Sequence, residues 1–241
     1  MEFKGGYSGR ILRIDLSREK QVVEDLDPEF ARMFIGGRGF GSIILYRELQ
    51  PRIDPLGPDN IVVVAPGALT GTAAPAASRT TIAFKSPLSS LHGDSTSSGF
   101  FGANLKHCGY DCLVISGKAS KPVYVAIQNE KVEIRGASKL WGRLTGDTHN
   151  MLKDELGIPD LATVSIGPAG EKLVRYASVM TDGGLGAHAR CGGGAVFGSK
   201  NLKAIAARGS RDIRIADIQG FKQAFQDYLE VISVDPYVPP A

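Results

Sequence analysis

Cysteine is scarce in this chain: three in 241 residues, at positions 108, 112 and 191. That number is odd and low, so a disulfide scaffold is excluded and a reducing compartment, the cytoplasm, is expected. No Cys-x2-Cys pair occurs, and a standard iron–sulfur cluster needs about four thiolates. The chain by itself therefore carries no complete cluster ligand set. Aromatics are also few, at 7%. Net charge is only +3, with no lysine/arginine run interleaved with aromatics, which argues against a nucleic-acid partner. The longest apolar run, Ile61-Val62-Val63-Val64-Ala65, is far too short to span a membrane. The opening Met1-Glu2-Phe3-Lys4 has no apolar signal segment. What remains is a globular composition, 43% hydrophobic and 22% charged, with 30 glycines. Backbone that depends on glycine is the theme of the sequence.

Periodicity predicts short strands and a few helices. Arg10 to Leu16 alternates, with Leu12, Ile14 and Leu16 on one face, and predicts a half-buried strand opening an antiparallel sheet. Asp27-Pro28-Glu29 reads as cap, first-turn proline and first-turn acid of a helix closed by Gly36. A second helix is expected over 40–49, stopping before Pro51. Strands are expected at 61–65, 80–84, 112–116, 163–166, 176–180 and 204–207, with a hairpin around Asn129-Glu130. Helices are expected at 100–107 and 146–156, the latter stopped by Gly157. Asp217 caps a last amphipathic helix with Phe221, Phe225, Tyr228 and Ile232 on one stripe. Asp235-Pro236-Tyr237-Val238-Pro239-Pro240 reads as a linker or domain edge, so residues 1–216 form the main domain and 217–241 lead onward.

Two segments resemble each other. Phe101-Gly102-Ala103-Asn104-Leu105-Lys106 and Phe197-Gly198-Ser199-Lys200-Asn201-Leu202-Lys203 each follow a loop of small residues and lead into a strand. Either the joins match by coincidence, or the fold is a duplication with two loops facing each other across a pseudo-twofold axis.

The loops are Gly67 to Arg79, continuing after one strand into Gly93 to Gly99, and Asp182 to Gly194. Small side chains admit a ligand close to backbone N–H groups, and an arginine in each, Arg79 and Arg190, offers a fork for phosphate or a fused polar ring. A single such loop is more often a tight turn; two of them favour an anionic ligand. Gly184-x-Gly186-x-x-Ala189 matches a dinucleotide pattern by letters, but Cys191-Gly192-Gly193-Gly194 stands where that motif needs a helix body. Gly193-x4-Gly198 followed by Ser199-Lys200 inverts the P-loop order. His188 reads as solvated or bonded to backbone, and Trp141 and the cysteines as packing residues.

Several blocks in order, Gly9 to Ser17, Ile35-Gly36-Gly37-Arg38-Gly39, Gly67 to Thr72, Lys85-Ser86-Pro87-Leu88, Ser165 to Glu171 and Gly198 to Ile205, resemble the amino-terminal domain of the tungsten aldehyde:ferredoxin oxidoreductases. The resemblance covers the chain through about Asp217. It implies an α+β fold of duplicated β-rich halves with helices, cradling a tungsten or molybdenum bis-pterin. It implies that Arg79 contacts one pterin, and that Thr96 and Ser98 lie in the loop meeting that pterin's phosphate. A Mg2+ bridging the pterin phosphates would be held by the carbonyls of Thr96 and Ala187, with Gly186, Ala189 and Arg190 in the second pterin loop. The family's aldehyde oxidoreductases carry asparagine and glycine at the positions of Thr96 and Ser98, and a further arginine where this chain has Leu185 or Gly186. The implied reaction is aldehyde oxidation to a carboxylic acid. Electrons would pass through a 4Fe–4S cluster from later domains or a partner subunit to ferredoxin, and a homodimer is possible in the family. No catalytic residue is expected within this chain, which alone would be inactive. The alternatives are a benzoyl-coenzyme A reductase-like enzyme, a stand-alone cofactor carrier, and an unrelated nucleotide-binding enzyme.

Overall fold

The computed structural model describes residues 3–234; the stretch read above as a linker lies outside the described residues. The first half runs β1 (Arg10–Asp15), β2 (Lys20–Asp25), α1 (Pro28–Phe34), α2 (Gly37–Glu48), β3 (Val62–Pro66), β4 (Arg79–Lys85), β5 (His92–Ser98), α3 (Phe101–His107) and β6 (Cys112–Ser116). The second runs β7 (Val123–Gln128), β8 (Lys131–Gly136), α4 (Thr145–Leu156), β9 (Ala162–Ser165), α5 (Pro168–Glu171), β10 (Val179–Thr181), a 3-10 turn at Asp182–Gly184, β11 (Gly186–His188), α6 (Gly193–Ser199) and β12 (Leu202–Arg208). The long helix α7 (Ile218–Ser233) follows.

Each half forms a six-stranded sheet, in the orders β2-β1-β6-β3-β4-β5 and β8-β7-β12-β9-β10-β11. The pairing sense is the same at every step: β1–β6 and β7–β12 are parallel and all other neighbours antiparallel. The fold is therefore α+β with two similar halves. Three expectations need correction. The first sheet is mixed rather than antiparallel, because the chain returns through α3 to insert β6 between β1 and β3. The two helices preceding the closing strands are equivalent, but the Phe-Gly pairs are not: Phe101 opens α3 while Phe197 is fifth in α6. Helix α1 is closed by Ile35, in left-handed backbone at φ 64°, one residue before Gly36.

Local causes are plain in most elements. Asp27 accepts from the Glu29 N–H, Asp217 from that of Gly220, and Gly157 ends α4 at φ 66°. Leu12, Ile14 and Leu16 are buried, while Arg13 on the opposite face pairs with Glu24 and Glu48. Strand β3 is buried on both sides and so shows no alternation. Its Val62 and Val64 enter the core between the two sheets, which also takes Phe84, Val125, Val164 and Ile205. Val63 and Ala65 pack beneath α1 and α2. A third cluster, with Tyr124, Leu152 and Ala206, lies under α4. Helix α3 packs on β9 and β12 of the other half, and α6 packs on β4, so the halves are interlocked. Trp141 packs against the central core, and Cys108 and Cys112 are buried, as their packing roles require. Helix α7 buries none of its stripe.

Two buried lysines tie loops to the body. Lys106 Nζ donates to the carbonyls of Gly6 (2.6 Å), Gly67 (3.2 Å) and Ala68 (2.7 Å); Lys200 Nζ donates to those of Pro58 (3.1 Å) and Gly117 (2.8 Å). Burial pushes both ammonium groups down to about 8. Their depressed folded pKa means the unfolded chain binds the extra protons above pH 8, so folding stability climbs as pH rises past 8. Cys108, pushed up to about 11, acts in the opposite sense once free thiols ionise above pH 9. Thermal melts are expected to show a higher Tm at pH 9 than at pH 7.5, levelling above that; a Tm falling steadily from 7.5 to 9 would contradict this.

Candidate functional site

The last strand of each sheet, β5 and β11, is an edge, and the two edges meet. Equivalent strands in contact are what a twofold arrangement of the halves produces. Both segments read as loops in the sequence. In β5, however, Gly93, Ser95 and Ser97 are buried while Thr96 and Ser98 are exposed, the alternation of a strand made of small residues. The second glycine segment divides into the 3-10 turn, β11 and the start of α6.

A set of polar contacts stitches this seam. His188, 1% exposed, places Nδ1 2.8 Å from the Ser95 carbonyl oxygen. The Arg190 N–H donates to Ser95 Oγ (3.2 Å), and Thr181 Oγ1 donates to Ser97 Oγ (3.3 Å). Asp182 accepts at Oδ2 from the Phe100 N–H (2.6 Å) and at Oδ1 from the Thr163 N–H (2.9 Å). Gly186 lies so close to β5 that a Cβ would collide with Ser97 Oγ and the Ser98 carbonyl oxygen. Ser86 Oγ donates to the Cys191 carbonyl (2.8 Å) farther along.

The anticipated residues lie on or beside this seam. Arg79 stands opposite Ser98 in the ladder, and Thr81 opposite Thr96, their hydroxyl oxygens 2.9 Å apart. Ala187 lies between Gly186, which abuts Ser98, and His188, which bonds Ser95; it is thus level with the middle of β5. Arg190 and Ala189 follow, both exposed. The guanidinium groups of Arg79 and Arg190 make no hydrogen bond or ion pair among the described residues. An edge strand has one ladder neighbour only, so half of its backbone groups point away from its sheet. Thr96 and Ala187 both lie on such strands. Two free guanidinium groups, two edges and a cradle without bulk at Gly186 and Ala187 fit an anionic, two-sided ligand.

His188 is buried and bonds to backbone; it is not solvated. Desolvation lowers its pKa to about 4, and its Nε2 is buried with no hydrogen-bond partner. Asp182 was missed in the sequence, where its only signal was an acid before Gly183-Gly184. Beside the seam a cavity of about 600 Å3 is lined by Phe100, His107, His149, Asp182 and Leu185. Burial lowers the His149 pKa, and its Nδ1 lies 2.9 Å from Thr163 Oγ1. An apolar cavity of about 600 Å3 lies at the far end of β5, between α2 and Leu91, and includes none of the seam's polar groups. The rejected nucleotide motifs are explained: Gly184 to Ala189 spans the 3-10 turn and β11, and Gly193 to Gly198 is helix α6.

Residues 11–209 match the model of the aldehyde ferredoxin oxidoreductase N-terminal domain. The chain belongs to the aldehyde ferredoxin oxidoreductase family. It is 46% identical, over 96% of its length, to the tungsten-containing aldehyde ferredoxin oxidoreductase of Pyrococcus horikoshii, and covers 38% of that relative. Against an aliphatic sulfonate oxidoreductase WOR-like subunit of Pyrococcus furiosus it is 42% identical, over 85% of this chain and 35% of that one. Among solved structures, the BamBC active-site complex of benzoyl coenzyme A reductase, in complex with 1,5-dienoyl-CoA, superposes with a TM-score of 0.94 at 34% identity. That match covers 98% of this chain and 37% of the other. The chain thus spans under two fifths of the length of these family relatives. No helix among the described residues is long and apolar enough to cross a membrane.

Proposed function

We propose that this domain is the base for a tungsten or molybdenum bis-pterin in a cytoplasmic enzyme that oxidises aldehydes to carboxylic acids. The observation that carries this reading is the meeting of two equivalent sheet edges with one free arginine beside each, Arg79 on β4 opposite Ser98 and Arg190 just past β11, in a member of this family. Arg79 would hold one pterin and Arg190 the other through their planar forks. Thr96 and Ser98 would serve the first pterin's phosphate, and Gly186 and Ala189 the second pterin. The Thr96 and Ala187 carbonyls would ligate Mg2+ between the phosphates, a hard cation that takes oxygen donors. The metal–pterin group supplies the redox chemistry, and this domain supplies binding and orientation. The 4Fe–4S cluster and the groups nearest the substrate would come from later domains or a partner subunit, because this chain's thiols are scattered and two are buried.

The net conversion is R–CHO plus water to R–COOH, with two electrons and two protons released and the electrons passed to ferredoxin. The test is ferredoxin reduction by the complete enzyme, purified anaerobically, with aldehydes, an aliphatic sulfonate and a benzoyl-CoA-type thioester couple offered side by side. Aldehyde-dependent reduction is expected. Turnover of the thioester couple alone would favour the benzoyl coenzyme A reductase-like reading, which the TM-score of 0.94 motivates. A pterin-loaded protein that turns over nothing would favour a cofactor carrier.

A further inference from the structure

We infer that His188 is a positioning residue, a strut that fixes the Thr96 and Ala187 backbones relative to each other across the seam. The inference rests on the cofactor reading above, for it concerns the two residues assigned there to Mg2+. His188 follows Ala187 directly, and the carbonyl it bonds belongs to Ser95, directly before Thr96. A carbonyl can only accept, so the ring proton is on Nδ1 and Nε2 carries a lone pair. That Nε2 is buried without a partner. An apolar side chain of similar size would avoid this cost, so packing alone does not account for an imidazole here.

What the imidazole adds is the Nδ1–H bond between the halves. It is one of several pins placed around the two assigned residues. Thr96 is flanked by Ser95, bonded to His188 and to the Arg190 N–H, and by Ser97, bonded to Thr181. Ala187 is flanked by His188 and by Gly186, which abuts Ser97 and Ser98. With both neighbours held, neither peptide plane can swing freely. Magnesium demands near-ideal octahedral geometry at about 2.0–2.1 Å, so it tolerates little drift between two such donors.

The test compares wild type, His188→Leu and His188→Asn in the complete enzyme. Each is purified anaerobically and passed through magnesium-free buffer, and metals are then counted by mass spectrometry alongside thermal melts. His188→Leu removes the donated bond and the orphaned nitrogen together. Its magnesium affinity, read from retention over a dilution series, is expected to fall about fivefold, the effect of one lost hydrogen bond, while Tm stays close to that of wild type, because the Ser95 carbonyl loses its donor as the orphaned nitrogen is removed. Asparagine can donate from nearly the place of Nδ1, and His188→Asn is expected to retain magnesium within about twofold. Wild-type magnesium retention in His188→Leu, or equal losses in both variants with a matching fall in Tm, would overturn the strut. A wild-type enzyme holding neither tungsten, molybdenum nor magnesium would overturn the cofactor reading itself.

Discussion

Glu171→Ala is expected to destabilise the domain by about 3–5 kcal/mol, the cost of breaking a buried ion pair from one side. Lys203 Nζ is fully buried, with Glu171 Oε1 at 2.5 Å and the Arg143 carbonyl oxygen at 2.8 Å. Glu171, itself 6% exposed on its side chain, also accepts from the Gly142 N–H at 2.8 and 2.9 Å. Burial pulls the Lys203 pKa down, and the carboxylate pulls it back up. Without Glu171 the ammonium would face the core with one carbonyl for company, and the Gly142 N–H would lose its acceptor. A typical domain has about 5–15 kcal/mol of total stability, so the loss is a large fraction of it. Lys203→Met with Glu171→Leu removes both charges and is expected to cost distinctly less than Glu171→Ala alone. Urea unfolding midpoints measure both. A change below about 1 kcal/mol for Glu171→Ala would show that the pair does not hold α5 to β12.

Arg79→Lys is expected to leave the apo domain's Tm unchanged while sharply reducing pterin and metal occupancy. Arg79 is exposed at the start of β4, opposite Ser98, and its guanidinium has no protein partner among the described residues, so stability does not depend on it. A guanidinium fork can bond a pterin edge or phosphate through two parallel N–H groups; lysine keeps the charge and loses that geometry. Loss of a charge-assisted hydrogen bond costs about 1.5–3 kcal/mol, or roughly ten- to a hundredfold in affinity. Occupancy is read as metal and pterin per protein in the complete enzyme. Equal occupancy in variant and wild type would remove Arg79 from the ligand set.

Much of the fold was legible because hydrophobic spacing carries it. Leu12, Ile14 and Leu16 face the core as their alternation demands, and the hairpin around Asn129-Glu130 joins β7 to β8. Other parts were hidden for physical reasons. Strand β2, Lys20–Asp25, is exposed along its whole length and so leaves no burial pattern to find. Strand β5 keeps its period of two in glycine and serine, whose side chains are small enough to read as a turn. The site's frame followed from the two glycine segments and their arginines, and it is the seam between them that the sequence could not display. His188 and Asp182 act through contacts with Ser95 and Phe100, residues more than 80 positions away, and no local spacing records such a partner. The amphipathic stripe of α7 is present as expected, yet Phe221, Phe225, Tyr228 and Ile232 are not buried, since a stripe shows what a helix can cover and not what covers it.

Whether two equivalent sheet edges cradle one two-sided cofactor is decided by stoichiometry. Metal and released pterin are to be quantified in the anaerobically purified complete enzyme. Two pterins and one tungsten or molybdenum are expected per copy of this domain, with one magnesium. A single pterin per domain, or a metal bound without any pterin, would contradict that expectation.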